Sequence, residues 1–276
     1  MSGNSSDPQL DIDKPAFERV RGLLRSKAGI ELADNRQSLV VARLMRRVKA
    51  LGFVAFDPYL DLVERDEGES GQFVNALTTN VTDFFRERHH FQLLEGLAGR
   101  AKKNEPFTVW SSACSSGQEP WSIAMTLRGA PNAPPTWKVL ATDIDADILA
   151  RAKEGVYPVD QVKAVAPELQ ASSFTPDRSR EYLRVRNELR SKVFFGQLNL
   201  LGAWPMKGLF DVIFCRNVLI YFSPENRVKT VRRLASQLKP GGVLMLGHSE
   251  AVLGSQTQLT SIGKTAFQRV TDGGLS

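Results

Sequence analysis

Two acids sit where a chain of alternating strands and helices holds a small ligand. Asp143 ends a strand-like apolar run, Val139-Leu140-Ala141. Glu119 opens a helix, and that helix follows the loop Ser111-Ser112-Ala113-Cys114-Ser115-Ser116-Gly117, itself preceded by the apolar run Phe107 to Trp110. Pro120 falls in the helix's first turn, where a missing N–H does no harm. A small-residue loop at a helix start exposes bare backbone to a ligand, and an acid at the tip of the next strand grips ribose hydroxyls in doubly wound α/β folds.

The loop differs from a dinucleotide cradle. Such a cradle packs three glycines so that pyrophosphate can rest on helix N–H groups, whereas this loop has Gly117 alone and Glu119 close behind it. A carboxylate there repels a pyrophosphate and attracts a cationic amine or sulfonium. S-adenosylmethionine is a ligand of that kind, with an adenosine for Asp143 and an aminocarboxypropyl tail for the loop. On the loop residues alone, an ordinary strand-to-helix turn with a stabilising first-turn Glu fits equally well.

Other reactive side chains point to less. Cys215 follows Phe214, without the Pro-Cys context of a cytosine-methylating nucleophile, and reads as a buried strand-end thiol; Cys114 reads as a small loop residue. Gly247-His248-Ser249-Glu250-Ala251 lacks the second glycine of a nucleophile elbow. Arg216-Asn217-Val218-Leu219 stands where an amine methyltransferase carries an acceptor-rich Asn/Asp-Pro-Pro-aromatic loop. His89 and His90 are adjacent and are expected to point in different directions; with no Cys or carboxylate at ligand spacing, no metal site is expected.

The elements that must position these residues change character along the chain. Up to about residue 99 the apolar spacing is helical, with stripes at Phe17, Val20, Leu23 and Leu24 and at Tyr59, Leu60, Leu62 and Val63. Residues 100–106 are polar, end in Pro106 and read as a linker, which predicts an N-terminal helical domain over 1–99 and a second domain over 100–276. From Phe107 strands at 107–111, 138–142, 193–198, 210–215 and 243–247 alternate with helices at 119–129, 145–153 and 224–238, the signature of a largely parallel sheet. Lys239-Pro240-Gly241-Gly242 is expected to close the last helix. Residues 157–192 interrupt the alternation, and Tyr182-Leu183-Arg184-Val185 alternates apolar with basic, so a small antiparallel insertion is expected there.

With 42% hydrophobic and 24% charged residues the composition is that of a soluble globular protein. No apolar run suffices to span a bilayer, residues 1–8 carry no leader pattern, and two distant cysteines suit a reducing cytoplasm. The net charge of +6 is local: no acid lies between Asp34 and Asp57, a stretch holding Arg36, Arg43, Arg46, Arg47 and Lys49. On a helix over about 36–50, Arg43, Arg46 and Arg47 share one face and Val40, Leu44, Val48 and Leu51 another. A solvated face and a docking surface for an acidic partner both account for this, and the lack of counter-charges favours docking. No interleaved aromatics suit it to nucleic acid.

Five segments in order resemble the chemotaxis protein methyltransferases: Thr79-Asn80-Val81-Thr82-Asp83-Phe84-Phe85-Arg86, Ser116-Gly117-Gln118-Glu119-Pro120-Trp121-Ser122, Ala141-Thr142-Asp143-Ile144-Asp145, Phe214-Cys215-Arg216-Asn217-Val218-Leu219-Ile220-Tyr221-Phe222 and Gly247-His248-Ser249-Glu250. The likeness covers nearly the whole chain and departs only slightly, with Gln118 where an acid is common and Trp121 where Tyr is common. It implies a Rossmann-like class I methyltransferase fold, doubly wound, with an antiparallel β-subdomain inserted and an all-helical domain in front. It also implies methylation of chemoreceptor glutamates in chemotactic adaptation, with S-adenosylmethionine as donor and S-adenosylhomocysteine as product. By this resemblance Asn80, Thr82, Arg86, Glu119, Asp143, Asn199, Leu200, Arg216 and Asn217 contact the cofactor, and Arg86 and Tyr221 serve the reacting centre. Arg43, Arg46, Arg47 and Lys49 dock the acidic methylation helices of the receptor, and the inserted subdomain is a place for a receptor C-terminal peptide. The protein is expected to be a cytoplasmic monomer that inserts in no membrane.

Overall fold

The computed structural model describes residues 11–250 and 258–270; the N-terminal residues read above as carrying no leader lie outside that range. The chain forms two compact units, divided between Thr79 and Asn80.

The first unit is all helical: α1 (Lys14–Ala28), α2 (Gln37–Ala50), α3 (Phe56–Arg65) and α4 (Glu67–Leu77). Asp13 accepts the Ala16 N–H at the start of α1, Gly29 ends that helix in the left-handed region, and Asp66 accepts the Glu69 N–H at the start of α4. Phe17, Val20 and Leu24 of α1, Val40, Leu44 and Val48 of α2, Tyr59, Leu60 and Val63 of α3, and Phe73, Val74 and Leu77 of α4 are buried. The apolar stripe expected on α2 is therefore a packing face through Val40, Leu44 and Val48, whereas Leu51 lies past the helix end and is exposed.

The second unit begins with a coil and α5 (His89–Arg100). The first helical unit thus ends some twenty residues before the polar linker that the composition suggests. The reason is packing: Phe91, Leu94 and Ala98 of α5 belong to the same core as Trp121, Ile123 and Phe214 of the second unit. Polar surface residues at 100–106 mark a loop, which need not be a domain joint.

The strands and helices that follow are β1 (Phe107–Ser111), α6 (Gln118–Gly129), β2 (Trp137–Asp143), α7 (Ala146–Glu154), β3 (Val156–Pro158), α8 (Pro167–Ser173), β4 (Phe174–Pro176), β5 (Tyr182–Val185), α9 (Asn187–Arg190), β6 (Val193–Gln197), β7 (Phe210–Cys215), α10 (Pro224–Ser236), β8 (Leu238–Leu246), β9 (Leu259–Gly263) and β10 (Ala266–Arg269). Seven strands form one sheet in the order β6-β2-β1-β7-β8-β10-β9. The pairs from β6 to β8 are parallel, and β10 is antiparallel to both β8 and β9. The order reverses between β1 and β7, which is where doubly wound sheets open a crevice at their carboxyl ends. The insertion is a separate antiparallel sheet, β3-β5-β4.

One local expectation fails. Lys239-Pro240-Gly241-Gly242 does not cap α10, which ends at Ser236 with Gln237 in right-handed geometry; the run lies inside β8. Gly241 has φ 77°, and the register against β7 shifts between Phe210 and Val212, so the glycines serve a strand irregularity. Among the described residues no helix is long and apolar enough to cross a membrane.

Candidate functional site

The loop after β1 is held on three sides. Ser112 N–H donates to the Phe214 carbonyl, and Cys114 N–H to that of Thr142, so the loop stays anchored to the flanking strands. Tyr157 of β3 donates its hydroxyl to the Ser116 carbonyl at 2.7 Å. Burial raises the pKa of that hydroxyl, so it keeps its proton and remains a donor. Gly117 precedes α6 with φ 96°, and a Cβ there would lie 2.6 Å from the Tyr157 hydroxyl and 2.9 Å from Ala152 Cβ. Only glycine satisfies both the backbone and the space.

Asp143, at the end of β2, organises the same loop. One carboxylate oxygen accepts the Ser115 N–H at 2.7 Å and the other the Asp145 N–H at 3.1 Å. Burial raises its pKa, and the neighbouring Asp145 charge adds to the rise against the pull of its backbone donors. Asp145 caps α7 through Asp147 and Ile148 and accepts from Asn80 Nδ2 at 3.0 Å. The Asn80 carbonyl in turn accepts from Ser115 Oγ. Asn80, Ser115, Asp143 and Asp145 therefore form one connected group, with Asp145 joining the helix start to the coil.

Glu119 and Arg216 form the second group. Glu119 accepts from Ser111 Oγ at 2.7 Å and from Arg216 Nη1 at 2.9 Å. Burial pushes its pKa up, and Arg216 opposes the shift. Arg216 also donates to the Arg86 carbonyl at 2.5 Å and lies 3.5 Å from a Glu87 oxygen, while its Nε has no partner among the described residues. Glu119 is therefore not a bare negative charge: it is one half of a buried ion pair. A zwitterionic amino-acid tail calls for both signs, and the pair offers both.

The coil 80–88 is seated on α6 by Phe85 N–H donating to Ser122 Oγ at 3.0 Å. Phe84 packs edge-on against Tyr157 and Phe174 of the insertion. The Arg86 guanidinium donates to the Val81 carbonyl of its own coil. Thr82 and Tyr221 are half-exposed.

Asn199 and Leu200 follow β6, whose last pairing is with Asp143, and Leu198 N–H donates to the Asp143 carbonyl. Asn199 Oδ1 accepts the Leu201 N–H, and the Leu200 carbonyl accepts from Trp204 and Arg233. Asn217, at φ 59°, is held by Glu250, which accepts the N–H groups of Asn217, Leu219 and Gly247 at 2.9, 2.6 and 2.7 Å. A Cβ at Gly247 would lie 2.7 Å from Asn217 Nδ2. Glu250 is the organiser sequence reasoning missed; its signal was an acid three residues after a glycine at a strand end.

Both cysteines are buried, and burial raises their thiol pKa values well above normal, which leaves them inert. The expectation that His89 and His90 diverge fails: their ring centroids are 4.1 Å apart, and Glu87, on the coil before them, supplies a carboxylate beside them. Backbone at φ 60° in Glu87 turns the coil back on the helix start, which spacing alone cannot show.

The basic helix is α2, and Arg43 and Arg47 are engaged within the first unit. Arg43 donates to the Leu77 and Thr78 carbonyls at the end of α4 and to Thr79 Oγ1. Arg47 pairs with the buried Glu69 of α4 through both carboxylate oxygens. The counter-charge missing from α2's own stretch comes from α4. Arg46 is exposed.

Comparison with known proteins accords with this geometry. A family model described as CheR methyltransferase, SAM binding domain, matches residues 80–268, and one described as CheR methyltransferase, all-alpha domain, matches residues 15–78. A chemotaxis protein methyltransferase of Escherichia coli is 42% identical over 265 residues, 94% of this chain and 92% of that protein. Chemotaxis protein methyltransferase 2 of Pseudomonas aeruginosa is 41% identical over 91% of each chain. A probable chemotaxis protein methyltransferase of Rhizobium etli is 39% identical over 91% of this chain and 98% of that one.

Proposed function

The chain belongs to the chemotaxis protein methyltransferase family and is an S-adenosylmethionine-dependent methyltransferase, and from that premise we propose that it esterifies glutamate side chains on the acidic cytoplasmic helices of chemoreceptors. The observation that carries the reading of the site is the buried Glu119–Arg216 pair beside Asp143 at the reversal point of the sheet.

The donor set fits the cofactor. Asp143 suits the ribose hydroxyls, the Glu119–Arg216 pair suits the zwitterionic tail, and Asn80, Thr82, Asn199, Leu200 and Asn217 line the remaining approaches. When bound, S-adenosylmethionine supplies a sulfonium-activated methyl group and leaves as S-adenosylhomocysteine. The acceptor needs no general base, because a glutamate side chain with pKa ~4.3 is already a carboxylate at neutral pH. The protein's work is alignment and exclusion of water. Arg86 holds the acceptor carboxylate after releasing the Val81 carbonyl, and Tyr221 shapes the site beside it.

Arg46 and Lys49, with the outer parts of Arg43 and Arg47, face the acidic receptor helix, and the β3-β5-β4 insertion offers edge strands to a receptor C-terminal peptide. The test uses cofactor labelled in its methyl group and an acidic receptor fragment. Base-labile label on the fragment supports the carboxyl ester. Label only on nucleic acid, base-stable label, or no transfer defeats it.

A further inference from the structure

All three histidines of the chain meet at one place that adjoins the Glu119–Arg216 group through Glu87. His89 and His90 open α5, His248 follows β8, and Glu87 lies on the coil before α5. Glu87 Oε2 is 3.6 Å from His90 Nδ1 and 3.6 Å from His248 Nδ1. The His89 ring lies 4.1 Å from that of His90 and 5.2 Å from that of His248, centroid to centroid. One donor atom from each of Glu87, His89 and His90 lies within 4.8 Å of the other two. Glu87 Oε2, His90 Nδ1 and His89 Nε2 are buried without a hydrogen-bond partner among the described residues, and His90 is fully buried.

Hydrogen-bond accounting assigns the tautomer of His90. The Thr265 hydroxyl donates its one proton to the Lys264 carbonyl at 2.6 Å, so it accepts from His90 Nε2 at 2.8 Å. His90 then carries its proton on Nε2 and turns a bare Nδ1 lone pair toward the Glu87 carboxylate. Two acceptors facing each other in a buried place repel unless a cation lies between them. Arg216 does not serve: it approaches the other Glu87 oxygen and is already neutralised by Glu119.

The dimensions suit a metal ion. Tetrahedral ligands about 2.1 Å from zinc stand about 3.4 Å from one another, close to both 3.6 Å separations. Imidazoles with one carboxylate select first-row transition metals over magnesium or calcium. Thr265 on His90, and Arg216 on the far oxygen of Glu87, are the outer partners such a site requires. We propose that Glu87, His89, His90 and His248 bind a divalent transition metal of the zinc type. The ion ties the coil that carries Asn80 to Arg86 to the loop after β8, where Glu250 holds Asn217.

The test titrates untagged, metal-stripped chain with Zn²⁺ and separately with Co²⁺. One equivalent binds, the melting temperature rises with free metal as linkage requires, and cobalt gives the visible absorption of a four-coordinate site. Thr265→Ala lowers zinc affinity by about 10–100-fold. His248→Ala, at an exposed position, and His89→Ala each lower it further, with circular dichroism showing the fold retained. Absence of stoichiometric binding overturns the proposal. So does zinc affinity unchanged in both His89→Ala and His248→Ala, which leaves the cluster to protons and water.

Discussion

Arg216 and Glu119, 97 positions apart in sequence, meet at 2.9 Å with side chains only 2% and 9% exposed. A buried pair of this kind is unforgiving of losing one member. Arg216→Ala leaves Glu119 uncompensated and is expected to cost about 3–5 kcal/mol in urea denaturation. Arg216→Met combined with Glu119→Gln restores most of that stability and leaves cofactor binding, read by calorimetry, abolished. If the double variant binds normally, the pair is structural only.

The raised carboxylates set the pH response. Burial lifts both Glu119 and Asp143 above the ordinary range, so each folded value exceeds its unfolded one. Between those values the native state holds more protons than the unfolded state, and folding stability falls as pH rises through that window. Cofactor affinity is expected to move the opposite way, because the proposed binding mode uses the charged forms. Its loss on acidification begins above the usual carboxylate pKa of ~4, and Asp143→Asn flattens the profile of affinity against pH while weakening it throughout.

Glu250 accepts three backbone N–H groups, from Asn217, Leu219 and Gly247. Each buried donor left unmet costs about 1–3 kcal/mol. Glu250→Ala is therefore expected to lower stability by several times that of a surface change and to weaken cofactor binding through Asn217. Glu250→Gln, which keeps an acceptor oxygen, recovers part of both.

Gly117→Ala meets two obstacles: left-handed backbone and a Cβ placed against Tyr157 and Ala152. The conformation alone costs about 1–2 kcal/mol. Cofactor affinity is expected to fall more than tenfold, with Gly129→Ala, which meets nothing within 4 Å, as the silent control.

The cations of α2 separate by role. Arg47→Ala exposes a buried Glu69 and shows chiefly as lost stability, by thermal melting. Arg46→Glu leaves the melting temperature unchanged, lowers kcat/KM for receptor methylation and reduces its salt dependence.

The alternation of apolar runs made the parallel sheet and its insertion legible, and Gly117, Glu119 and Asp143 could be placed at the right ends of strands from the sequence. What stayed hidden were contacts between distant segments. The partner of Glu119 lies on β7's exit, that of Arg47 on α4, and that of His90 is Thr265, between β9 and β10. Periodicity reports which face of an element is apolar and is silent on which distant charge meets it. The Lys-Pro-Gly-Gly run shows the same limit, since the residues that end helices also bend strands.

Tyr157 belongs to the inserted sheet, yet its hydroxyl holds the Ser116 carbonyl of the loop before α6, the loop proposed to hold the cofactor. The insertion is thus both an outer edge and an inner wall. A ligand on that edge which displaces Tyr157 must alter affinity for the methyl donor, and the donor must alter affinity for that ligand by the same factor. A receptor tail held there would not be a passive tether: the enzyme's state of charging with methyl donor would be felt in how firmly it stays on its receptor.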